Sequence, residues 1–329
     1  MQYYLRICLF YLACASNSAF AQDFHFSNNS AARSFSIIAA GNMPEDYQVT
    51  LAYRQQYTTV PVGYKTSAAS FIAQLPKFTT GIAVLSDRAG DASYQTTRLQ
   101  VPLGKRYLVT SKWNFGLFLS PGISFLNYNA SALTFNSQFT GDQFMNSNPS
   151  GESFSSQNAS YFHSEFGFAS AYSFNEKISC SGGYGITLFS TPKKFQVNTV
   201  SKNSNRQQFY TRAIYSLTSN QKIFFEVNVS VQKKYNQAVL LAQYFYKFSS
   251  AKLVQNATIG IGLRARDAFI FAAGAKMKDF QVDLAYDLTT SSFAKATNHQ
   301  GATELIVTYR FYKKFKPKKI VQFSCPVFL

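Results

Sequence analysis

The stretch Ile223–Gln232, IFFEVNVSVQ, sets Ile223, Phe225, Val227, Val229 and Val231 at every second position, with Glu226, Asn228, Ser230 and Gln232 between them. Side chains alternate faces along a β-strand, so this segment has one apolar and one polar face, which a helix would mix together. Two settings satisfy such a strand. It belongs to a sheet packed on a core with water on its other side, or to a barrel with lipid outside and water inside.

The same period returns along most of the chain. Phe280, Val282, Leu284, Tyr286 and Leu288 oppose Gln281, Asp283 and Asp287, and Leu305, Val307, Tyr309 and Phe311 oppose Glu304, Thr308 and Arg310. Strands are predicted at 47–57, 63–73, 79–86, 93–103, 112–125, 158–173, 176–189, 207–217, 221–233, 236–247, 255–264, 267–277, 279–288 and 302–311, which makes fourteen. The number is even, and most segments are near the roughly 9–11 residues that carry a tilted strand across a bilayer.

The connections separate the two settings. With a periplasmic N-terminus, the long gaps 126–157, 190–206 and 289–301 fall outside the cell, while Asn175–Glu176, Thr218–Gln221 and Lys278 fall inside. Outer-membrane barrels have long outer loops and short inner turns, and a soluble sandwich has no reason to sort them. The exception is 104–111, which reads as a long inner turn. The expected fold is all-β, a single antiparallel outer-membrane β-barrel of about 14 strands with short periplasmic turns and longer extracellular loops. Trp113, Tyr244, Tyr246 and Tyr312 are expected at the bilayer interfaces, their rings half wet.

Composition agrees. Only 14% of residues are charged, with 33 Phe and 21 Tyr, whereas a soluble domain carries about a quarter charged residues. The opening MQYYLRICLFYLACASNSAFAQDF has Arg6, an apolar stretch Ile7–Ala15 and Ala19-Phe20-Ala21, the pattern of a signal peptide over 1–21 cut before Gln22. A lipidated Cys14 is the rival reading, opposed by Tyr11 where a lipoprotein signal usually carries Leu. No later segment is an apolar helix long enough to span a bilayer. Cys8 and Cys14 leave with the signal, and Cys180 and Cys325 sit in a strand and the distal tail, so no disulfide framework is expected.

Net charge is +17. Basic, aromatic-rich chains include nucleic-acid binders, but here the cations are scattered and the chain is exported. No nucleic acid is expected; the charge suits anionic outer-membrane lipid or an acidic partner. Residues 22–46 lack strong alternation and are expected to form a periplasmic or plug-like segment inside or under the barrel of 47–312. Residues 313–329 form a basic periplasmic tail with Lys313, Lys314, Lys316, Lys318 and Lys319. A last strand ending Tyr309-Arg310-Phe311 resembles the aromatic-terminated strand that outer-membrane assembly machinery recognises.

A family resemblance follows from longer motifs. IGIGLRARDAFIFAAGAKMKDFQVDLAYDLTTSS from Ile259, GATELIVTYRF from Gly301 and the terminal CPVF resemble the PorP/SprF family of type IX secretion system membrane proteins. YRQQY (Tyr53–Tyr57), SDRAGD (Ser86–Asp91), TFNSQFTGDQF (Thr134–Phe144) and SYFHSEFGFA (Ser160–Ala169) resemble it upstream in the same order. The resemblance implies an outer-membrane barrel of the secretion and gliding apparatus. It implies as partners a secreted surface protein or adhesin, bound through its C-terminal sorting domain, and periplasmic ring and motor components. Tyr57 stands where the family usually has Trp, Ala302-Thr303-Glu304 departs from its pattern, and Arg264–Asp267 is more basic than usual; these departures bear on the partner rather than on the fold.

The family motif places Arg264, Asp267, Asp287 and Glu304 on or near the last strands, and alternation turns Arg264, Asp287 and Glu304 inward. The plain reading is a charge network bracing the lumen, since inward ionised groups need partners. The sharper reading is a seat for a plug or a docked sorting domain. Arg54 lies on the first strand, beside the last in a closed barrel, and is expected to pair with Glu304. Asp87, Arg88 and Asp91 around Gly90 offer too few oxygens for calcium and read as a salt-bridged turn. The lysines at 313–319 read as a solvated tail or as a docking strip for an acidic periplasmic partner. The three histidines are His25, His163 and His299. His163 beside Glu165 makes no Ser–His–acid arrangement, and there is neither metal-ligand spacing nor a phosphate loop. No enzyme, catalytic residue, metal or cofactor is expected. The alternative to a docking barrel is a passive porin or solute uptake channel.

Overall fold

A computed structural model describes residues 24–28, 46–60, 63–90, 94–129, 133–145, 147–151, 158–190, 204–233, 235–249 and 253–312. The strands are β1 Tyr47–Gln56, β2 Tyr64–Gln74, β3 Thr79–Ala89, β4 Tyr94–Gln100 continued by Leu103–Thr110, β5 Trp113–Asn127, β6 Asn158–Ser173 and β7 Ile178–Phe189. They continue as β8 Arg206–Ser216, β9 Gln221–Gln232, β10 Tyr235–Lys247, β11 Asn256–Arg264, β12 Ala268–Met277, β13 Phe280–Thr289 and β14 Gln300–Phe311. Each pairs antiparallel with the next, and β14 returns to β1 from Tyr47↔Phe311 to Gln56↔Ala302. The molecule is a closed antiparallel barrel of 14 strands. Closure follows from the solvent, because hydrocarbon offers no partner to the N–H and C=O groups of an open edge.

Alternation sets the two faces. Phe225, Ile259, Ile261, Phe269 and Leu284 are exposed outward, Ile259 and Ile261 at 66%. Their chain neighbours Glu226 and Asp283 are buried inward. Apolar exposure on this scale marks a surface that lipid wets. Trp113, Tyr172, Tyr215, Tyr244, Tyr246 and Tyr312 are exposed toward the periplasmic ends, and the Trp113 indole N–H donates to the Ser170 hydroxyl at 2.9 Å.

One expectation is corrected. Residues 104–111 are not a long turn. β4 resumes at Leu103 after Val101-Pro102 and runs to Thr110, and the turn is only 111–112. The proline lacks an N–H and interrupts the ladder without shifting it, since Ala83↔Gln100 and Thr80↔Leu103 keep one register. The inner connections are thus short, apart from 248–255. Among the outer ones, 128–157 contains a one-turn 3-10 helix, Asn136–Gln138, and a hairpin of Phe139–Thr140 with Gln143–Phe144, its rings 5.5 Å apart. Asp91 and the lysines at 313–319 lie outside the described residues; Asp87 accepts from the Thr66 hydroxyl at 2.6 Å.

A single-tryptophan experiment checks the faces. In a Trp113→Phe background, Phe225→Trp in brominated-lipid vesicles is expected to lose most of its fluorescence, whereas Phe224→Trp, on the lumen face, keeps most of it. Equal quenching at both positions would contradict the assignment of faces.

Candidate functional site

Closure of the sheet assembles the site. In the β1–β14 ladder Arg54 stands directly opposite Glu304, residues far apart in the chain. On β13, Asp287 lies next along the inner wall, paired with Ala302, and Arg264 arrives from β11 across Ala268 and Ile270 of β12. The small Ala268 and Ala302 leave room for the longer side chains to cross the wall.

Arg54 joins both carboxylates. One guanidinium nitrogen bonds to Glu304 and the other to Asp287 at 2.9 Å, while Arg264 reaches Asp287 at 2.7 Å. Arg54 is 1% exposed and Glu304 0%. Charges so far from water are costly unless paired and hydrogen-bonded; two guanidinium groups and two carboxylates balance here. Asp267 sits higher, in the outer turn 265–267, with an oxygen 3.8 Å from Arg264 Nε. It belongs to the rim rather than to the buried set.

The second half of the site is the chain's own N-terminal segment. Residues 24–28 lie inside the barrel. The Ser27 and Asn28 amides donate to the two Glu304 oxygens at 2.5 and 2.9 Å, and the Ser27 hydroxyl lies 2.7 and 2.8 Å from the Asp287 oxygens. His25 Nε2 faces the guanidinium groups of both Arg54 and Arg264, which can only donate to it. Phe26 packs on Ala52, Ala68, Ala83, Leu85 and Ile306. Those three alanines on β1, β2 and β3 make the hollow that its ring fills.

Phe24 reaches the opposite wall. Its ring lies between the Arg98 and Arg206 guanidinium groups, 4.9 and 5.0 Å from its centroid, and Arg206 donates to its carbonyl at 3.4 Å. Cation–π contacts of this kind are worth about 0.5–2 kcal/mol each. Elsewhere on the inner wall, Glu226 forms an ion pair with Arg212 at 3.0 Å and accepts from the Tyr210 hydroxyl at 3.2 Å, while His163 Nδ1 meets the Ser124 hydroxyl at 3.0 Å. Sequence reasoning did not single out Arg98, Arg206 or Ser27. The available signal was the inward phase of Arg98 and Arg206 on β4 and β8.

Tyr57 stands just beyond β1 at the outer mouth, with its backbone left-handed (φ 56) and its amide bonded to the Gly301 carbonyl at 2.6 Å. Its ring meets Phe293 edge-on at 4.9 Å. Burial, helped by the nearby Asp267 charge, pushes its phenol up to about 12, so the group is neutral at physiological pH.

The sequence profile described as "Type IX secretion system membrane protein PorP/SprF" matches residues 39–309. The chain belongs to the PorP/SprF family. It is thus a membrane protein of type IX secretion with an outer-membrane barrel fold, and its family is not a known enzyme class. No curated protein matches the sequence. Among solved structures, the chain is similar to the toluene transporter TbuX of Ralstonia pickettii, with TM-score 0.52, 12% identity, and 86% of this chain and 94% of that one covered. It is equally similar to the CymD monoaromatic hydrocarbon channel, with TM-score 0.52, 11% identity, and 88% and 95% covered. At these identities the likeness is one of fold. The family match covers β1 to β13 and most of β14, but begins after the lumen segment 24–28.

Removing one partner from a buried ionic cluster leaves the others uncompensated. Arg54→Ala is expected to cost about 3–5 kcal/mol of stability, read as earlier unfolding in urea by heat-modifiable gel migration. The double reversal Arg54→Glu/Glu304→Arg is expected to recover only part of the loss of either single change, because the new acid at 54 faces Asp287. Full recovery would show that the seam pair acts alone.

Proposed function

We propose that this PorP/SprF barrel is a docking component of type IX secretion. In this reading it binds the C-terminal sorting domain of a secreted surface protein or adhesin and anchors it to the machinery. The outer loops and the lumen mouth receive the sorting domain. The inner turns and the lysines at 313–319 contact periplasmic ring and motor components, joining surface cargo to the drive behind gliding.

The observation that carries this reading is the occupied lumen. Phe24–Asn28 crosses from the Arg98/Arg206 wall to the Glu304/Asp287 wall and is held at both ends by charge-assisted bonds. A passive porin needs a continuous aqueous path, and a segment so anchored obstructs one. A docking barrel needs only rigid strands and a presented surface. Arg54, Arg264, Asp287 and Glu304 then serve to brace the wall and seat the segment, and Asp267 steadies Arg264 from the rim, which keeps the mouth in one shape for its partner.

Two measurements test the reading. In planar bilayers the full protein is expected to show little steady conductance, and deletion of residues 24–28 to raise it several-fold; a large open conductance in the full protein would favour the porin instead. In detergent extracts the barrel is expected to co-purify with a sorting-domain fusion, and Lys→Glu changes at 313, 314, 316, 318 and 319 to weaken ring association in a salt-dependent way. Sorting-domain capture unaffected by masking of the outer loops would overturn the assignment.

A further inference from the structure

The β4–β5 hairpin makes a step in the periplasmic rim of the sheet. β3 begins at Thr79, opposite Gly104, so Lys105–Thr110 at the end of β4 runs past it. On one side these residues pair with β5, from Lys105↔Leu117 to Thr110↔Trp113. On the other side no described strand pairs with them.

The direction of the backbone groups follows from Val101, whose N–H donates to the Pro121 carbonyl of β5 at 2.9 Å. Bonding alternates along an antiparallel strand. Val101, Leu103, Lys105 and Tyr107 therefore turn their backbone groups to β5, and Arg106 and Leu108 turn theirs to the open side. Gly104, paired with Thr79 of β3, fits this phase. Two N–H and two C=O groups thus stand in line at strand spacing. Such groups are not tolerated in hydrocarbon, and Lys105 and Arg106 are exposed. This part of the hairpin stands in the periplasm, with Leu108 76% exposed, so Trp113, paired with Thr110 at its tip, lies beyond the interface expected for it.

An open, straight strand edge templates a further strand unless something blunts it. Beside this edge Phe78, Leu103, Leu117 and Leu119 line an apolar groove with Gly104 and Phe118. Charge selects the occupant. Lys105 and Arg106 lie on the edge, and the exposed Lys77 and Lys112 flank it in the turns 75–78 and 111–112. Glu176 lies in the β6–β7 turn, across β5 from the open side, and Asp46 precedes β1, beyond β2 and β3. A second copy of the same edge is repelled, and so is the chain's own tail, with five lysines between 313 and 319.

We propose that Lys105–Thr110 is a strand-addition site for an extended, net-acidic segment of a periplasmic protein. The segment bonds to the backbone of Arg106 and Leu108, sets its carboxylates against the four cations, and places an apolar side chain in the groove beside Phe78. The proposal stands apart from sorting-domain binding, which concerns the opposite end of the barrel.

The test uses the full-length protein in nanodiscs with three labelled peptides: a short alternating Val/Glu peptide, the same peptide with Lys for Glu, and residues 313–329. The acidic peptide is expected to bind at least about tenfold more tightly than the lysine version, and more weakly as salt rises. It should slow hydrogen exchange at the Arg106 and Leu108 amides, which exchange fast alone, and leave the already paired Tyr107 amide unchanged. Leu108→Pro removes an outward N–H without breaking a bond to β5, and is expected to abolish binding while the barrel melts as before. Should that variant not fold, Lys105→Glu/Arg106→Glu keeps the test open by reversing the peptide preference. Equal binding of both Val/Glu and Val/Lys peptides, stronger binding of the 313–329 peptide, or protected Arg106 and Leu108 amides in the peptide-free protein would each overturn the proposal.

Discussion

In hydrocarbon a polypeptide must supply every hydrogen-bond partner of its own backbone, since each unsatisfied group costs several kcal/mol there. The structure answers that demand by closing β14 onto β1, and much else follows from the register of this seam. It turns Phe225, Ile259 and Leu284 to lipid and Glu226, Asp283 and Asp287 to the interior. It also sets Arg54 opposite Glu304. Where the demand is not met, at Arg106 and Leu108, the chain has to leave the bilayer.

The interior is governed by a second cost, that of isolating charge from water. Arg54, Arg264, Asp287 and Glu304 share their bonds so that each cation meets an anion, and the two Glu304 oxygens also take the backbone amides of Ser27 and Asn28. The N-terminal segment is therefore part of the electrostatic accounting of the wall rather than a passive filler. Its hold on the lumen draws on both walls, and Glu304 serves the segment and the seam pair together. Withdrawal of the segment would leave both Glu304 oxygens without these amide donors.

Much of the fold was legible because β-alternation is a local signal. Runs such as Ile223–Val231 and Phe280–Leu288 carry their faces within about ten residues, and the loop asymmetry supplied orientation. The second half of β4 was not legible. Pro102, Gly104 and the pair Lys105-Arg106 erase the apolar alternation there, and the strand persists only because β5 offers a partner at Leu117, Phe115 and Trp113. The site was legible in part. Inward phase pointed to Arg264, Asp287 and Glu304 and strand closure to Arg54, but Asp267 stands at the rim because its turn lifts it above the wall. Arg98 and Arg206 passed unremarked, since a lone arginine in a strand shows its role only when the ring of Phe24 lies between two of them.

By itself the sequence determined which side of each strand meets lipid, how many strands there are and, through its motifs, the family. These depend on neighbours two residues apart and on composition, which the chain carries locally. Only the tertiary structure decided which charges meet, where the segment 24–28 lies and which strand is left with an open edge. Those outcomes rest on register and stagger between strands distant in sequence, and a slip of a single residue would have turned the same side chains to the other face.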